Sequence, residues 1–118
     1  MGKNILFKGL LLVGLLMSSS CTKDEVNLDS LKKIYAIYKQ GQMSVCHHKS
    51  VLVYKAELSA TDTGFQIFDQ NGNQIGDCNT AWGQKPDYIC DQITKCETIY
   101  RIKDDILGIP GINKYNLK

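Results

Sequence analysis

Five cysteines in a chain of 118 residues constrain this fold more than any other feature. The first, Cys21, stands apart from the rest. It follows an apolar run from Gly9 to Met17 and three serines, Ser18 to Ser20, with Lys3 and Lys8 giving a positive start. A charged, then apolar, then small order is that of a secretory signal, and nine apolar residues fall well short of the roughly 20 that span a bilayer. Setting Cys21 aside leaves Cys46, Cys78, Cys90 and Cys96, an even number in a small exported domain, which predicts two disulfides. Their spacings of 32, 12 and 6 residues contain no close pair of the kind a structural zinc site uses. No metal and no cofactor is expected.

The stretch Ser18-Ser19-Ser20-Cys21 resembles the processing site of bacterial lipoprotein precursors, with Ser18 where the usual lipobox has an aliphatic residue. Lys23-Asp24-Glu25 is similar to the Lys-acid-acid export signal of Bacteroidota surface lipoproteins. The resemblance implies acylation of Cys21, residence in the outer membrane at the cell surface, and a division into a signal peptide 1–20, a lipid-anchored tether 21–27 and a single domain 28–118. More than one acyl chain, at about 0.8 kcal/mol per buried methylene, makes such an anchor stable. The competing expectation is a cleaved signal followed by a chance cysteine.

The chain carries a formal charge of +2, and the part after residue 20 has 12 basic and 12 acidic residues. A neutral domain supplies no field to attract nucleic acid. The expected partners are the membrane, through Cys21, and a protein or glycan of unspecified identity.

Leu28, Leu31, Ile34, Tyr35 and Tyr38 recur at steps of three and four, which predicts a helix capped by Asp29 and stopped at Gly41. A strand over Ile34–Tyr38 is the alternative. Residues 41–49 read as a loop, 50–58 as a strand, 60–64 as a turn and 65–68 as a second strand. Asn71-Gly72 marks a hairpin tip, and a third short strand follows from Gln74 towards Cys78. Residues 79–86 read as a loop, and Ile89, Ile93, Cys96 and Tyr100 form a second helical stripe, although 98–102 is also compatible with a strand. The apolar tail residues Ile106, Leu107, Ile109, Ile112, Tyr115 and Leu117 predict docking on the core. The expected fold class is α+β: a three-stranded antiparallel meander with an N-terminal and a C-terminal helix packed on it.

That order constrains the bridges. Cys46 and Cys78 fall at opposite ends of a meander, and Cys90 and Cys96 would lie ~9 Å apart along a helix, beyond the usual reach of a disulfide. The expected pairs are therefore Cys78–Cys90 and Cys46–Cys96, each stabilising by about 2–4 kcal/mol.

The hairpin Phe68-Asp69-x-x-Gly72-x-x-Ile75 is similar to that of PepSY-like and cystatin-like envelope domains. Residues 31–117 more closely resemble a group of small uncharacterised Bacteroidota surface lipoproteins. The resemblance is carried by the four spaced cysteines, the Asp69/Gly72 hairpin, the Cys96-Glu97 to Tyr100-Arg101 segment and the ending Tyr115-Asn116-Leu117. It implies location and no activity.

Candidate chemistry is sparse. Cys46 beside His47 and His48 has the elements of a thiol nucleophile or weak metal contact, but a bridged Cys46 forfeits the thiol. Asp69 to Asn73 lacks the spacing of an EF-hand loop. Asp104-Asp105 beside Arg101 and Lys103 reads as a solvated charge cluster, and Tyr54, Trp82 and Tyr88 as partly buried aromatics. No catalytic constellation emerges. The function expected is that of a non-catalytic binding or structural module on a lipid anchor; the alternative is an inhibitor or modulator of envelope or secreted proteases.

Overall fold

A computed structural model describes residues 25–58, 64–80 and 83–118. The expected signal peptide 1–20, Cys21, Lys23, Asp24, most of the expected 60–64 turn and Trp82 lie outside the described residues. Among the described residues, no helix is long and apolar enough to cross a membrane.

The helix α1 runs from Leu28 to Tyr38. Its N-cap is Asn27 rather than Asp29: the Asn27 side chain accepts the Ser30 N–H at 3.2 Å. Asp29 sits in the first turn, where the positive end of the helix dipole favours a carboxylate. At the other end the Gly41 N–H donates to the Tyr38 carbonyl at 2.8 Å. Gly41 is needed for closeness: a Cβ there would stand 2.0 Å from the Glu57 carbonyl oxygen.

Against the expected three-stranded meander with two helices, the described chain forms one six-stranded antiparallel sheet with a single α-helix. The strands are β1 (Gln42–His48), β2 (Val51–Glu57), β3 (Gly64–Phe68), β4 (Gln74–Asn79), β5 (Thr94–Arg101) and β6 (Ile112–Asn113), in spatial order β4-β3-β2-β1-β5-β6. The meander is present as β2, β3 and β4, but it is half of the sheet.

Two segments account for the difference. The expected loop 41–49 is β1, a strand paired on both sides, by β2 and β5. Its pattern is obscured because Ser44 lies buried at 5 % exposure among Met43, Val45 and Cys46, while both ends are polar. The expected second helix is a 3-10 turn at Tyr88–Asp91 followed by β5. Thr94, Thr98, Ile99 and Tyr100 suit a pleated surface better than a helix. Two irregularities then disguise the alternation. Met43 pairs with Tyr100 and Ser44 with Thr98, so Ile99 is an extra residue on β5. Val45 pairs with Glu97 and His47 with Thr94, so Lys95 and Cys96 oppose Cys46 alone, with Lys95 in the left-handed region at φ 52. Such bulges shift the strand's faces, which is why consecutive Ile99 and Tyr100 both enter the helix-side core.

The sheet is covered on both faces. Leu31 and Ile34 of α1 pack on Met43, Val45, Leu52, Tyr54, Phe68 and Tyr100. On the opposite face Cys46, Val53, Ile67 and Cys78 lie under Phe65, Ile89, Cys90 and Ile93. The disulfides serve this arrangement. Cys46–Cys96 joins neighbouring β1 and β5 with Cα atoms 4.0 Å apart, and Cys78–Cys90 holds the 3-10 turn on β4 with Cα atoms 5.8 Å apart. These are the pairs expected from topology, formed by a different geometry, since no helix connects Cys90 to Cys96.

A polar cluster fixes the start of α1 to the β3–β4 hairpin. The Tyr54 hydroxyl accepts the Asn27 N–H at 2.7 Å and donates to Gln70 Oε1 at 2.6 Å. The Gln70 carbonyl accepts from Asn27 Nδ2 and Ser30 Oγ. Burial pushes the Tyr54 hydroxyl above the ordinary tyrosine range, and its hydrogen bond with Asn27 opposes that rise.

Candidate functional site

Past Arg101 the chain leaves β5 and folds into a small hairpin. Asp104 and Ile109 exchange both backbone hydrogen bonds at 2.9 Å. The Asp104 carboxylate accepts the N–H groups of Ile106 and Leu107 at 3.0 and 3.1 Å, and Gly108 takes φ +69 to close the turn. The Arg101 guanidinium donates to the Pro110 carbonyl and ties the base of the hairpin to β5. A short loop is thus held in one shape by its own backbone and two side chains. Its tip carries Ile106 at 96 % exposure and Leu107 at 71 %.

The tip forms one wall of a recess of about 780 Å³ at the end of the sheet where α1 finishes, β1 begins and β2 ends. Gly41, Leu58, Ile102 and Ile109 line it together with the charged Glu57 and Arg101. Lys103 and Asp105, which also line it, pair with one another at 3.2 Å and keep their side chains largely exposed. The recess residues include no cysteine, histidine, serine or tyrosine. Chemically the site can take up an apolar side chain between aliphatic walls and meet charges of either sign at its rim.

The tail therefore departs from the expectation of docking throughout. Leu117 is buried at 2 % exposure, and Asn113 holds it by accepting its N–H and donating to its carbonyl. Ile106 and Leu107 face outwards instead. Asp104, expected in a solvated charge cluster, organises the tip. The sequence signal was there in the spacing of Asp104 and Gly108, which suits a turn whose first carboxylate caps the following N–H groups.

The other sequence candidates are dispersed. Glu25 is exposed where the described chain begins, close in sequence to the helix cap Asn27. Cys46 is bridged and buried, so it offers no thiol beside His47 and His48. His47 Nδ1 is buried with no hydrogen-bond partner among the described residues. Asp69 accepts the N–H groups of Asn71 and Asn73, both at 2.9 Å, as a hairpin turn requires. Tyr54 belongs to the core, whereas Tyr88 is largely exposed. Among the described residues, no group of three His, Cys, Asp or Glu side chains is placed to hold a metal ion.

Among the described residues, one α-helix across a six-stranded antiparallel sheet, with two disulfides and an apolar tip beside a recess, defines the class of domain. Comparison with family models, curated proteins and solved structures finds no match.

Proposed function

We propose that this chain is a lipid-anchored envelope protein of the outer membrane, exposed at the cell surface and held by acylated Cys21. Its folded domain acts as a binding module, and the 103–109 tip with its recess is the contact surface. The exposure of Ile106 and Leu107 on a hairpin with a fixed shape carries this reading. Exposed apolar groups cost solvation unless a partner covers them, and a preorganised loop loses little entropy on binding. The layout supports the same assignment. The described chain enters beside the β3–β4 hairpin, whereas the recess lies at the far end of α1, a helix of 11 residues that spans about 16 Å. An anchor at Cys21 leaves the tip turned away from the entry point of the chain.

The test has two arms. Cys21→Ala is expected to move the protein out of the detergent phase; unchanged partition refutes acylation. The double substitution Ile106→Asp/Leu107→Asp is expected to abolish capture of partners from the native envelope while both disulfides stay intact. Capture that survives it removes the tip from the contact surface. The protruding apolar pair also suits insertion into a protease cleft. A modulator of envelope or secreted proteases predicts inhibition by the wild-type protein that the same double variant loses.

A further inference from the structure

We infer that the tip docks on a second copy of this chain, with Ile106 and Leu107 of each copy entering the recess of the other about a two-fold axis. The inference rests on the tip and recess being the contact surface. A two-fold interface needs one patch that is complementary to itself. Here a projection and a hollow lie side by side on one chain, since the tip is itself a wall of the recess. Reciprocal exchange covers both apolar side chains and fills both hollows.

Charge selects the second copy over an acidic or basic partner. The patch carries both signs, Glu57 and Asp105 against Arg101 and Lys103. Lys103 and Asp105 are 71 % and 81 % exposed at their side chains, so each remains accessible to a charge from another molecule. In the inferred register Lys103 of one copy meets Asp105 of the other, twice, and each internal Lys103–Asp105 pair is exchanged for one across the axis. A strongly acidic partner meets Asp105 and Glu57 unfavourably, and a strongly basic one meets Lys103 and Arg101. The part of the chain after residue 20 carries equal numbers of acidic and basic residues, so two copies approach without net repulsion. Anchoring both copies in one membrane raises their effective concentration further.

The experiment uses the full chain with its own signal, expressed in the native envelope as two differently tagged copies. Capture of one tag is expected to recover the other, and Ile106→Asp/Leu107→Asp is expected to reduce that recovery at least roughly tenfold. Charge exchange supplies the second arm. Lys103→Glu alone is expected to weaken pairing, because the introduced carboxylate meets that of Asp105 twice across the axis. The double exchange Lys103→Glu/Asp105→Lys is expected to pair with itself and to be excluded from the wild type. Intact disulfides by mass and an unchanged melting midpoint exclude unfolding as the cause. Wild-type copies that do not recover one another, while the tip variant still loses a different partner, overturn the second copy and leave the contact surface standing. Tip variants that change no interaction overturn both. A double exchange that mixes freely with the wild type overturns the two-fold register.

Discussion

Single residues decide how closely this chain can pack. Gly41 lets α1 turn into β1 against the Glu57 carbonyl, at a separation that admits no side chain. Gly41→Ala must therefore displace backbone rather than a flexible side-chain end. We expect it to lower stability by about 1–3 kcal/mol, read as a fall in the denaturant midpoint at unchanged slope. Asp104 has a comparable local role, since its carboxylate satisfies two N–H groups of the exposed tip. Neither role follows from residue type alone. An aspartate next to another aspartate reads as solvated charge, and a glycine after a helix reads as a cap. Gly41 stops the helix without the positive φ of such a cap, and what fixes it is a strand 16 positions later in sequence.

Among the elements, the disulfides separate the two layers of the fold. Cys46–Cys96 closes a loop with a sequence separation of 50 and Cys78–Cys90 one of 12. Loop-closure entropy then predicts losses of about 4 and about 3 kcal/mol for paired Cys→Ala replacements. Thermal unfolding of the two double variants checks the order. Removing Cys78–Cys90 is also expected to free the 3-10 turn first, seen as faster exchange of the backbone amides at position 90 and at Gln92, because that bridge holds the turn over Ile67 and Val53. The elements also explain what could be read in advance. The helix and the strands β2 to β4 declare themselves, since Leu31 and Ile34 keep the helical period and Asn71-Gly72 marks the hairpin. β1 hides because its neighbours on both sides define it, with Ser44 buried where alternation alone gives no reason for a strand. β5 hides because extra residues at Ile99 and Lys95–Cys96 break its period of two into one that passes for helical. The apolar tip was legible as composition and not as exposure, which depends on the hairpin that Asp104 and Ile109 close.

At the scale of the whole molecule, the core ties stability to alkaline pH. Burial raises the hydroxyls of Tyr38, Tyr54 and Tyr100 above the ordinary tyrosine value of 10.0, with the charge of Asp77 adding to Tyr38 and that of Tyr35 to Tyr100. Above that value the unfolded chain begins to release protons that the folded chain keeps. The fold is then the state with more bound protons, so its stability is full below about pH 10 and declines as pH rises through the folded-state values. Denaturant midpoints measured from about pH 8 to about pH 11 should be level at first and then fall. Tyr54→Phe is expected to lessen that fall, while leaving Gln70 Oε1 and the Asn27 N–H without their shared partner.

The same scale sets the orientation on which the functional proposal depends. The β1–β2 turn with Lys49, and Lys95 at the start of β5, lie at the end of the sheet opposite the recess, whereas Lys103 flanks the tip and Lys39 follows the end of α1. Lysine-directed cross-linking on intact cells, read by mass spectrometry, tests the contact surface most directly. Intermolecular cross-links should concentrate at Lys103 and Lys39 and disappear with Ile106→Asp/Leu107→Asp. Cross-links concentrated at Lys49 and Lys95, or unchanged by the double substitution, contradict the tip as the contact surface.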